Sequence, residues 1–173
     1  MLKDPVSNED HVQGGQNATI TLVEYGDYEC PYCGQAYPII KQVQKYYGSK
    51  LRFVFRNFPL TEVHPLAMSA AQTAEYAGAE GLFWEMHDLI FENQSNLNIE
   101  LLFVLTESLN LSPEKLKEAL TNQTFDHKIK RDFIGGVKSG VNGTPTIYIN
   151  DARYSGPVEF QNLVSAIDEM IKP

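Results

Sequence analysis

The sequence predicts an α/β fold in which a strand–helix–strand unit and a strand–strand–helix unit flank a long run of helices. Three observations predict it. Strand-like runs rich in β-branched and aromatic residues occur only before residue 60 and after residue 136, and helical periodicity fills the stretch between. The first two strands are separated by one helix-length segment, the crossover that parallel strands need. With 173 residues the chain suits a single domain with a full hydrophobic core.

Residues 1–17 are polar, contain Gly14-Gly15 and lack periodicity, so they are expected to form an arm that leads into a domain over 18–173. Ala18 to Tyr25 suits a largely buried strand. Residues 31–47 follow as a helix, with Ile39, Ile40, Val43, Tyr46 and Tyr47 at helical spacing. Leu51, Phe53 and Phe55 alternate with Arg52, Val54 and Arg56 in a second strand, which completes the first core segment, 18–60. The insertion, about 61–135, is expected to hold four or five helices, divided at Gly81, at Asn93 to Asn98, at Ser112-Pro113 and at Thr121 to Thr124. Ser112 followed by Pro113 has the form of an N-cap with proline in the first helical position. After Gly135-Gly136 the chain returns to strands in the second core segment, 136–173. Thr146 to Asn150, a turn at Asn150-Asp151 and a short strand at Arg153 to Ser155 read as a hairpin. Pro157 to Ile171 closes the chain as an amphipathic helix with Phe160, Leu163, Val164, Ile167 and Ile171 on one face.

The formal charge of −8 argues against a nucleic-acid partner, because phosphate neutralisation by Lys and Arg supplies most of such binding. From Asn57 to Glu114 there is no Lys or Arg, which reads as a solvated acidic surface. No apolar run approaches bilayer length, so no membrane insertion is expected. The start, Met1 to Pro5, lacks the basic and apolar segments of a secretory leader. The expected compartment is therefore the cytoplasm, the alternative being a periplasmic or other extracytoplasmic form whose leader has been removed.

The two cysteines form Cys30-Pro31-Tyr32-Cys33, where the first strand gives way to the first helix. The free N–H groups and positive dipole end of a helix favour a thiolate placed there, and a second thiol one turn on lies on the same face. Cys30 is therefore expected to be the exposed nucleophile, titrating below about 8.5, and Cys33 the more buried resolving thiol. Two such thiols can equally form half of a zinc site. His64 and His87 lack ligand spacing to a companion, so no metal is expected.

From about His11 onward the chain resembles the DsbA-like branch of the thioredoxin superfamily. The Cys30 to Cys33 motif, Glu24 six residues before it, Pro38 five residues after Cys33, and Gly143-Thr144-Pro145-Thr146 before a strand carry the likeness, as do Arg56 to Leu60 and His64-Pro65. Taken singly, a strand carboxylate, a helix proline and an ordinary Thr-Pro strand start explain themselves, and their combination at these offsets is the specific signal. The resemblance implies a thioredoxin fold with a helical insertion, which glutaredoxins sharing the Cys-Pro-Tyr-Cys motif lack at this size. It implies that Glu24 is a buried acid beneath Cys33, suited to exchanging its proton during resolution. It also implies that Pro145 is cis, with the Thr144 backbone left to pair with an extended substrate beside Cys30, and that Pro31 and Tyr32 tune the pair. His64 is read as a partner for backbone groups at a helix start.

The activity so implied is thiol–disulfide exchange with protein or peptide thiols and disulfides, without a bound cofactor and with a redox partner to recycle the pair, its direction open between oxidase and reductase. DsbA itself has His between its cysteines where this chain has Tyr32, and Asp27 and Glu29 add negative charge that opposes the helix dipole. Strong oxidising power is accordingly not expected. The alternative function is a redox-inert binding or chaperone module that uses the acidic insertion as its surface.

Overall fold

The structure is a computed structural model that describes residues 1–171, so the last two residues of the predicted domain lie outside the described residues. Five strands, β1 (His11–Gly14), β2 (Ile20–Gly26), β3 (Leu51–Asn57), β4 (Thr146–Ile149) and β5 (Ala152–Arg153), form one sheet in the order β1-β3-β2-β4-β5. β2 and β3 are parallel, with Ile20 opposite Leu51, and α1 (Pro31–Tyr47) makes the crossover. β4 runs antiparallel to β2, and β5 antiparallel to β4.

Both faces of this sheet are covered. Ile20, Leu22, Leu51, Phe53, Phe55, Ile147 and Ile149 point into the larger core with α1, the insertion and α7 (Phe160–Ile171). Val23, Tyr25, Val54 and Tyr148 point the other way, onto Phe58, Val141 and Leu2. The alternation in β3 therefore separates two buried faces, and Arg56, on the second face, is only 4% exposed. Its guanidinium donates to both Asp10 carboxylate oxygens and to the Tyr25 hydroxyl, each at 2.9 Å.

The N-terminal segment departs from the expected arm. His11–Gly14 pairs antiparallel with β3, Leu2 is buried, and Arg56 donates to the carbonyls of Asp4 and Pro5. A short polar edge strand is held by backbone hydrogen bonds and by its partner, so it carries no apolar period for a sequence reading to detect.

The insertion holds five α-helices, α2 (Ala67–Ala79), α3 (Phe83–Glu92), α4 (Ile99–Ser108), α5 (Pro113–Asn122) and α6 (Asp126–Ser139). Ser112 caps α5 as expected, its hydroxyl accepting from Lys115 N at 3.2 Å. Gly135-Gly136, read as the end of the helical region, lies inside α6. The glycines serve packing there: a Cβ on Gly136 would stand 2.8 Å from the Phe58 ring and 3.0 Å from that of Tyr25. The helix ends instead at Gly140, whose φ of 91° lets Val141 N reach back to Gly136 O at 2.9 Å. The hairpin turn at Asn150-Asp151 has both residues at positive φ, and β5 starts one residue earlier than expected. Tyr46 and Ile171, placed on apolar faces by spacing, are 60% and 40% exposed. Tyr46 lies edge-on to Phe160 at the rim of α1 and α7.

Candidate active site

β2 stops at Gly26, and four residues carry the chain to the start of α1, where Cys30 is the N-cap and Pro31 takes the first helical position. Proline has no N–H to offer, so the first donors facing the Cys30 sulfur are those of Tyr32 and Cys33. The Cys30 thiol is lowered to about 5, chiefly by a hydrogen bond from the Cys33 thiol, against burial and with help from these two backbone donors. Cys33, fully buried, is pushed well above the ordinary thiol range by burial, by its hydrogen bond to Cys30 and by the charge of Glu24. Its sulfur accepts from Asp27 N at 3.4 Å. The two thiols thus differ in acidity, Cys30 lowered and Cys33 raised.

Exposure is where the expectation fails, since Cys30 is only 3% exposed. The loop before β4 lies over it, and the Cys30 thiol donates to Thr144 O at 3.4 Å. The Thr144–Pro145 bond is cis. Tyr32, by contrast, is 68% exposed, and Pro31 is also exposed. Tyr32, Gln35, Ala36, Thr144, Pro145 and Val158 line a groove of about 280 Å³ beside the thiols.

Glu24 sits in the central strand, between Phe55 of β3 and Ile147 of β4, and is 3% exposed. Its Oε1 has no hydrogen-bond partner among the described residues. Burial, reinforced by the Cys30 charge, raises the carboxyl to about 8, so it is protonated at neutral pH. Pro38 lies within α1, which continues through it.

The acids expected to oppose the thiolate are both held by hydrogen bonds to other groups. Asp27 Oδ1 accepts from Glu29 N at 2.8 Å, while Oδ2 accepts from Leu60 N at 2.9 Å and meets His64 Nδ1 at 2.7 Å. Glu29 accepts from Leu66 N at 2.6 Å. His64 therefore serves a carboxylate and not the backbone groups expected. His87 is buried among aromatic rings, 3.0 Å from the Tyr28 hydroxyl, and burial holds its pKa well below the usual histidine range. The two histidines weighed as zinc ligands thus have other partners, and no cluster of three or more His, Cys, Asp or Glu side chains able to hold a metal occurs among the described residues.

One contributor escaped the sequence reading. Gln94, from the short 3-10 turn Gln94–Asn96, donates from Nε2 to Tyr28 O at 2.8 Å and Cys30 O at 2.9 Å, tying the insertion to the thiol-bearing turn. A Cβ on Gly34 would collide with the Gln94 side chain. A glycine directly after Cys33, inside a helix, is the only trace of this contact in the sequence.

The family model described as Thioredoxin matches residues 6–169. Bacillus subtilis BdbD in its oxidised form is 30% identical, with a TM-score of 0.85 over 95% of this chain and 94% of that one. The thiol-disulfide exchange protein alpha-DsbA2 from Wolbachia pipientis shares the fold, with a TM-score of 0.79 at 19% identity over 94% of this chain and 88% of that one. In sequence, the chain is also 41% identical over 160 residues to a protein named Na(+)/H(+) antiporter NhaA 1 of Salinispora arenicola, which covers 92% of this chain and 24% of that protein. The chain spans about a quarter of the length of the curated relatives it matches. The site geometry, the family match and these folds agree that the chain belongs to the thioredoxin superfamily as a DsbA-like member.

Proposed function

We propose that this chain is a protein disulfide oxidoreductase acting through Cys30 and Cys33. The observation that carries the reading is the split between two adjacent thiols, one lowered to about 5 and the other driven far up. A redox-inert binding module gains nothing from that split.

In the donating direction, a substrate thiolate attacks Sγ of Cys30 in the Cys30–Cys33 disulfide. The S–S bond breaks, and Cys33 leaves as a thiolate that takes a proton from the Glu24 carboxyl. A second substrate thiolate then attacks the substrate sulfur of the mixed disulfide and expels Cys30 as its thiolate. Two substrate thiols lose two electrons to become a disulfide, and the protein pair gains them. In the accepting direction the steps reverse, and the Glu24 carboxylate takes the Cys33 proton. The low Cys30 pKa stabilises the reduced pair and so favours donation. The groove beside Pro145 receives the substrate segment, and a separate redox partner recycles the pair. The proposed compartment is the cytoplasm.

Trapping tests the whole reading. Cys33→Ser leaves the mixed disulfide at Cys30 without an internal thiol to resolve it, so partners should accumulate covalently and be released by added reductant. Cytoplasmic partners would support the proposed compartment, and exported or envelope proteins would replace it. If Cys33→Ser traps no more than the double variant lacking both thiols, and the unaltered protein neither reduces insulin nor oxidises a dithiol peptide, the binding-module reading takes its place.

A further inference from the structure

The Asp27 carboxylate is completely buried three residues before Cys30 and receives two backbone N–H groups, those of Glu29 and Leu60. Its only side-chain partner in these contacts is His64, at 2.7 Å. The same residue's N–H donates to the Cys33 sulfur, so His64, Asp27 and the thiol pair form one connected series. Glu29 reaches back to Leu66 N, which ties the loop after β3 to the thiol-bearing turn a second time. The His64 side chain is 19% exposed, enough to exchange its proton with solvent while its ring stays on Asp27.

We propose that His64 is a positioning residue whose imidazolium neutralises buried Asp27 and so keeps that carboxylate from destabilising the Cys30 thiolate. The inference deepens the proposed exchange function and rests on Cys30 being its nucleophile. Two carboxylates next to a thiolate would otherwise oppose it, because like charges in a partly buried site repel with little screening. Held on Asp27, the histidine makes a neutral pair of one of them. Burial works to lower the imidazole pKa, but the Asp27 hydrogen bond and charge outweigh it, and the charges of Cys30 and Glu29 add to the rise. Asp27, Glu29 and Cys30, all from the turn between β2 and α1, are thus the charged groups that act on it. A stabilised thiolate favours the reduced pair, so His64 also biases the protein toward disulfide donation.

Coupling of this kind is reciprocal: if the imidazolium stabilises the thiolate, the thiolate must stabilise the imidazolium by the same factor. Oxidation to the disulfide removes the thiolate. In the unaltered protein, NMR titration of the His64 ring should therefore give a higher pKa in the reduced than in the oxidised form, a change in proton affinity of about threefold to tenfold for a partly exposed partner. Identical titration in the two forms would overturn the proposal. In the reduced protein, thiolate absorbance should show the Cys30 acid constant falling by a similar factor in His64→Gln, which keeps a donor for Asp27 but no charge. His64→Lys, which keeps the charge, should largely retain it. Equal shifts in both variants, or none in either, would make His64 a merely structural contact and overturn the proposal. None of these titrations needs a substrate. A protein that traps nothing yet shows coupled titration loses the exchange reading and keeps the coupling.

Discussion

Glu24 in β2 and Glu75 in α2 are both buried carboxylates, 3% and 5% exposed, yet the fold holds them in opposite ionisation states at neutral pH. Burial acts to raise both. Around Glu75 it is outweighed, because His11 Nε2 lies 2.8 Å from one oxygen, Asn57 donates to the other at 2.7 Å, and Lys128 stands 3.9 Å away. That carboxyl stays below the usual range. Around Glu24 nothing outweighs burial, one oxygen has no hydrogen-bond partner among the described residues, and the neutral acid results. The comparison teaches that a satisfied buried charge holds structure together, while an unsatisfied one stores a proton beside the chemistry.

The largest expected effect is on the structural side of this comparison. Glu75→Ala removes the anion from a buried network that includes His11 and Lys128 and should cost about 3–5 kcal/mol in urea unfolding at neutral pH. Since the folded pKa of Glu75 is depressed, its contribution is present above the unfolded value of about 4.5. It is lost as pH falls through the folded one, so the variant and the unaltered protein should converge in acid. A loss that persists undiminished there would mean the carboxylate is not what matters.

Glu24 carries the opposite sign. Its folded pKa of about 8 lies above the unfolded 4.5, so the protein should lose stability as pH rises between those values. The total is roughly 5 kcal/mol once ionisation is complete. Glu24→Gln does not ionise and should be the more stable protein at pH 9, with no such gain at pH 4. Parallel stability curves would show that the acid is not held neutral. In the accepting direction the same variant should slow resolution of the mixed disulfide by Cys33 by about 100-fold while sparing the first attack by the Cys30 thiolate, as separated by stopped-flow measurement. Equal slowing of both steps would remove Glu24 from the mechanism.

The smallest effect tests the tie between the insertion and the site. Gly34→Ala displaces Gln94 from the Tyr28 and Cys30 carbonyls, and the loss is partly offset by the better helix propensity of alanine, leaving a net cost of about 1 kcal/mol. A variant more stable than the original would show that Gln94 can leave without consequence.

Much of the fold is legible in the sequence. The β-branched run ending at Tyr25, the 31–47 helical period and the alternation from Leu51 each announced its element, because apolar spacing records which face is buried. β1 was missed because an edge strand of His11–Gly14 draws its order from β3. Gly135-Gly136 misled because a glycine that admits a close neighbour and one that ends a helix look alike in sequence, and only the Phe58 and Tyr25 rings against α6 distinguish them. Asp27 and Glu29 are legible as charges near Cys30, but their partners at residues 60–66 lie more than thirty residues along the chain, where local spacing carries no signal of them.

By itself the sequence determined the order of strands and helices from β2 onward and placed two thiols one turn apart at a helix start, since both follow from local spacing and the geometry of a single element. Tertiary structure alone decided that Glu24 is neutral and Glu75 charged, that the Thr144 loop covers Cys30, and that His64 answers Asp27. Ionisation depends on distances of a few ångströms between groups tens of residues apart, and those distances exist only once the chain has folded.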